Sequence, residues 1–90
     1  MIQSVSIGPI ENHLNDNADV SVVLSDGRTY SFTAFTPLNL MTLMNQEPSA
    51  YFLCEDMLVL REINEANVRA AVEEMLEDGN IDRFGVLSEA

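Results

Sequence analysis

Cys54 and His13 each occur once in the chain, so they are the only residues from which a thiol nucleophile and its imidazole base could be assembled. A thiol nucleophile needs a nearby base, itself oriented by a third group. No second histidine and no orienting pattern surround this pair. Within Tyr51-Phe52-Leu53-Cys54 the cysteine reads as a buried small hydrophobe, and His13, in a polar stretch, as a surface residue. One His and one Cys also fall short of the four ligands of structural zinc. The run Asn15-Asp16-Asn17-Ala18-Asp19 has the alternating oxygens of a calcium loop. Started at Asn15, however, that motif would need Gly where Val20 stands and Glu where Asp26 stands. The chain has no lysine, which excludes Schiff-base, phosphate-clamping and general-base lysines. Paired carboxylates are abundant, but acid–base chemistry between two carboxyls needs a cleft that separates their pKa values, and small domains rarely enclose one. These residues predict no enzyme, no cofactor and no metal.

The acids carry more information as a distribution. Fifteen Asp and Glu face four Arg, for a net charge of −11 and a pI near 4.1. A surface with that balance repels nucleic acid, which is held chiefly by Lys and Arg neutralising phosphates. Residues 1–45 hold four acids and one Arg, while residues 46–90 hold eleven acids and three Arg. Glu73, Glu74, Glu77 and Asp78 fall in the last turns of a predicted helix, where the dipole disfavours each negative charge by about 0.3–1 kcal/mol. Arg69 can offset Glu65 and Glu73 by only ~0.2–0.5 kcal/mol each. Two readings follow: a solvated face kept acidic for solubility, or an acidic surface that steers towards a basic partner.

The elements that position these groups follow from periodicity. Ninety residues, 47% of them apolar, make one domain, spanning 1–90. Ile2 to Ile7 reads as a short strand ended by Gly8-Pro9, and Glu11 to Asp19 as a polar surface loop. Asp19 to Leu24 and Arg28 to Phe35 flank Ser25-Asp26-Gly27, a strong hairpin signal. Val20, Val22, Leu24, Tyr30, Phe32 and Ala34 point to the core face, and Ser21, Thr29, Ser31 and Thr33 to a wet one. Thr36-Pro37 starts a helix running to about Gln46 before Pro48, with an apolar arc wider than one core stripe requires. Residues 49–61 read as two strands around Glu55-Asp56, or as one strand with a bulge. Asn64 caps a second helix that buries Val68, Ala71, Val72, Met75 and Leu76 and ends at Gly79. The tail, with Ile81, Phe84, Val86 and Leu87, docks back without helix caps of its own. The expected fold is α+β, with a largely antiparallel sheet and two helices packed on one face. No leader or membrane-length apolar run is visible, and a lone cysteine forms no internal disulfide, so the expected compartment is the cytoplasm.

The functional expectation is a small acidic protein-binding domain of the immunity or inhibitor type. It would block the basic surface of a toxin or nuclease, with no nucleic-acid or membrane partner of its own. The partner-binding acids would be Glu73, Glu74, Glu77, Asp78 and Asp82, with Glu55, Asp56 and Glu62 as a second group. The alternative is a homodimer or larger homo-oligomer, structural or regulatory in role. Its interface would be the apolar helix over residues 37–46, through Leu40, Met41, Leu43 and Met44, with the acids serving solubility.

Overall fold

A computed structural model describes residues 1–46, 50–54 and 56–88. In chain order it contains β1 (Ile2–Ile7), β2 (Asn17–Leu24), β3 (Thr29–Phe35), α1 (Pro37–Gln46), β4 (Met57–Val59), α2 (Glu65–Asp78), α3 (Ile81–Phe84) and β5 (Val86–Ser88). The five strands form one α+β sheet, mostly antiparallel. β1 pairs with β2, and β2 with β3, both antiparallel. The far edge of β3 is shared: β4 runs parallel along Thr33–Phe35, and β5 antiparallel along Thr29–Ser31. The β2–β3 turn forms as its residues dictate. Gly27 takes φ +93°, a region L side chains rarely adopt, and the Asp26 carboxylate accepts from the Arg28 backbone N–H at 3.1 Å and its Nε at 2.8 Å.

Strict alternation sends Val20, Val22, Leu24, Tyr30, Phe32 and Ala34 into one buried cluster. Val68, Val72 and Met75 of α2 and Ile81 of α3 close over it, with Leu60 and Ile63 at the entry to α2. Full burial of a side chain such as Val68 or Val72 contributes about 1.5–3 kcal/mol. The two helices over this face are therefore α2 and the short α3. α1 adds nothing to the cluster, and its one buried residue is Asn39. Polar bonds tie down its first turn: Thr36 Oγ1 accepts from the N–H groups of Asn39 at 3.2 Å and Asp16 at 3.3 Å, and Asn17 Nδ2 donates to Asn39 Oδ1 at 3.0 Å.

α2 matches its local signals closely. Asn64 Oδ1 accepts from the Asn67 N–H at 2.8 Å, Ile63 and Val68 are both fully buried as a hydrophobic staple, and Gly79 ends the helix at φ +72°. Three other regions depart from expectation. The polar loop before β2 is shorter and more ordered than its composition suggests, because the Asp16 carboxylate gathers the N–H groups of Glu11, Asn12 and Asn17, and β2 already begins at Asn17. Of the strands expected over residues 49–61 only Met57–Val59 forms; residues 50–54 are not strand, and Ser49 and Glu55 lie outside the described residues. The uncapped tail is a helical turn followed by a strand, tied down by the sheet rather than by its own sequence.

Candidate functional site

The acids singled out by spacing do not form one surface. Glu73, Glu74, Glu77 and Asp78 are all exposed at the C-terminal end of α2. Among the described residues the ion pairs are Arg28–Asp26 at 2.8 Å and Arg69–Glu65 at 3.0 Å, so none of these four acids has one. Arg69 bonds Glu65 and leaves Glu73 without a cationic neighbour at bonding distance. The last turn of α2 contains no basic residue, so four negative charges stand at the negative pole of the helix dipole.

The remaining acids lie elsewhere. Glu62 precedes α2 and accepts from Asn64 Nδ2 at 2.9 Å. α2 then runs fourteen residues, from Glu65 to Asp78, a length of about 20 Å at 1.5 Å per residue. Asp56 is on the opposite side of the sheet, where both its carboxylate oxygens accept from Thr33 Oγ1 at 3.2 Å and one accepts from Cys54 Sγ at 3.3 Å. Asp82, itself exposed, accepts from the hydroxyl of the buried Tyr30 at 2.5 Å, and that bond, together with burial, raises the Tyr30 pKa above its ordinary value. Its carboxylate thus docks α3 onto the core. Glu55 lies outside the described residues. The second group of acids is accordingly scattered, whereas the α2 group is compact.

The C-terminal half of α2 also borders a groove of about 560 Å³, lined by Met1, Ile2, Glu73, Leu76 and Glu77. A second depression, of about 420 Å³, lies on the sheet face away from the helices, among Ser6, Ser21, Ser31, Asp19 and Asp56. Alternation of β1, β2 and β3 made the hydroxyls legible in the sequence; that Asp56 would join them depended on the β3–β4 register.

The two residues with nucleophile–base character are used separately. His13 Nδ1 donates to the Ile63 carbonyl at 2.6 Å and the His13 carbonyl accepts from the Ile63 N–H at 2.9 Å, so this histidine clasps the loop before β2 to the start of α2. It is exposed, as expected, but structurally engaged. Cys54 is half-buried and spends its S–H on Asp56. Among the described residues, no group of three or more His, Cys, Asp or Glu could hold a metal ion. Nor is any helix among them long and apolar enough to cross a membrane.

On α1, Leu38 and Met41 are 54% and 58% exposed, while Leu40, Leu43 and Met44 are half-buried. No family model, no curated protein and no solved structure matches the chain.

Proposed function

We propose that this protein is a small protein-binding domain of the inhibitor or immunity type, which meets the basic surface of a partner with the C-terminal end of α2. The observation that carries the reading is the compact row Glu73, Glu74, Glu77 and Asp78, exposed, without ion pairs among the described residues, and placed where the helix dipole opposes it. Negative charges held against local stability deepen the negative potential at one pole of the molecule, and such a pole accelerates encounter with a cationic surface in a salt-dependent way. A nuclease or other phosphate-handling toxin is basic where it holds its substrate, so an acidic plug competes for that surface. A reducing cytoplasm, where such a partner would have to be restrained, accords with the lone Cys54.

The test is capture on the immobilised protein, in parallel with the triple variant Glu73→Gln, Glu74→Gln, Glu77→Gln, washed at about 50 mM and then about 500 mM salt to shorten the Debye length severalfold. A basic protein retained stoichiometrically at low salt, weakened at high salt and absent from the variant is the expected result. Equal retention by both forms would remove the acidic row from the function.

A second reading has its own observation. α1 is six-tenths apolar, counting Pro37, yet contributes no residue to the core, and the chain from Thr29 to Gln46 carries no charge at all. Two copies that each carry −11 approach at least cost through an uncharged apolar helix. In that case the protein works as a homo-oligomer through Leu40, Met41, Leu43 and Met44, and the acids keep it soluble.

A further inference from the structure

We propose that the groove between the start of β1 and the C-terminal half of α2 is the seat for one arginine or lysine side chain of the partner, an inference that rests on the acidic-surface reading above. The groove has two chemically distinct parts. Its floor is aliphatic, formed by the half-buried Ile2 and Leu76, with Met1, 88% exposed, at its edge. Its rim carries Glu73 and Glu77, four residues apart on one helix face, which puts their Cβ atoms about 5–6 Å from each other. Neither carboxylate has an ion pair among the described residues, and like charges at this spacing repel.

An occupant must cover apolar surface and neutralise the two carboxylates together. A purely apolar group would strand the two charges, and a small cation would leave the floor wet. Lys and Arg satisfy both demands, because three or four methylenes lie along aliphatic surface while the head stays polar. A guanidinium with five N–H donors can bond both carboxylates at once, so arginine fits best. Glu74 and Asp78 stand outside the groove and provide only long-range attraction.

The proposal is tested by NMR titration of the full chain at low ionic strength with three probes: N-acetyl-arginine amide, N-acetyl-norleucine amide, which has the stem without the charge, and guanidinium chloride, which has the head without the stem. Saturable shifts of the Met1 and Leu76 methyl groups and the Ile2 amide are expected with the arginine probe, at concentrations at least tenfold below those at which either half-probe acts. Glu73→Gln with Glu77→Gln should weaken that binding at least tenfold. Glu74→Gln with Asp78→Asn, which removes the same charge outside the groove, should change it less than threefold. Equal loss in both double variants, shifts spread evenly over all exposed acids, or norleucine and arginine probes of equal strength would each overturn the groove. If the groove fails but a basic partner is still captured and released by the triple Gln variant, the acidic-surface reading stands without it. If the arginine probe binds as expected and no basic partner is captured, that wider reading fails instead.

Discussion

Asp16 is the residue on which the order of the segment before β2 depends. Its carboxylate accepts backbone N–H bonds from Glu11 at 2.8 Å, Asn17 at 2.8 Å and Asn12 at 3.4 Å, and these bonds, the Glu11 bond foremost, hold its pKa below the usual 3.8. A carboxyl depressed on folding stabilises above its unfolded pKa and loses that effect as pH falls through the lower folded value, so part of the acid unfolding of this protein should be centred below pH 3.8. Asp16→Asn should remove that component, lower the melting temperature at neutral pH, and speed amide exchange at Glu11 and Asn17. Tyr30 behaves with the opposite sign. Its pKa is raised, first by its bond to Asp82 and then by burial, so its stabilisation is complete below the unfolded value of 10.0 and is lost as pH rises through the folded one. Tyr30→Phe should therefore cost about 1 kcal/mol at neutral pH and flatten the alkaline end of the stability profile, read by urea unfolding between neutral and alkaline pH. The partners of these two residues differ in kind. The Asp16 carboxylate bonds within five residues of itself, whereas Tyr30 and Asp82 are 52 residues apart and meet only because α3 returns to the sheet.

Among the elements, α2 is the one whose whole length could be read beforehand, because cap, staple, apolar stripe and terminal glycine are all local signals that agree. Its two ends should respond oppositely to substitution. Asn64→Ala removes the acceptor for the Asn67 N–H and should cost about 1 kcal/mol. Glu77→Gln, at the other end, relieves an unfavourable dipole interaction and should stabilise by about 0.3–1 kcal/mol at low ionic strength. Denaturant midpoints of the two variants check both signs; a destabilised Glu77→Gln would mean that the acid has a structural role. α3 and β5 were not legible as elements. Four and three residues cannot nucleate structure alone, and here the sheet edge, the Tyr30–Asp82 bond and the close fit of Gly85 against Phe32 hold them. A Cβ at Gly85 would lie 2.7 Å from the Phe32 ring, so the tail passes too close for any other residue to stand there undisturbed.

For the molecule as a whole, charge and the apolar helix are the two decisive quantities. A chain of net charge −11 repels itself when compact, so stability should climb between low salt and about 0.15 M, where the Debye length falls to about 8 Å. Thermal midpoints at those salt concentrations, independent of the anion used, check this. If α1 is the contact between copies, sedimentation at rising concentration will show a species of twice the 10.0 kDa chain, and Met41→Asp with Met44→Asp will return it to the monomer without unfolding it. A wild type that stays monomeric throughout would leave the acidic end of α2 as the surface that acts.

The sequence by itself determined the α+β class, the hairpin at Asp26-Gly27, the faces of β2 and β3, the extent of α2 and the position of its acidic end, because each depends on residues within a few places of one another. Tertiary structure alone decided that α2 and α3, rather than α1, close the core, and that β4 and β5 share one edge of β3. It also engaged Asp82 with the Tyr30 hydroxyl and set Asp56 on the other side of the sheet, so that only the acids of α2 remained together without such partners. Pairings across tens of residues are chosen by competition among whole surfaces for burial and for hydrogen-bond partners, and no local pattern encodes the winner.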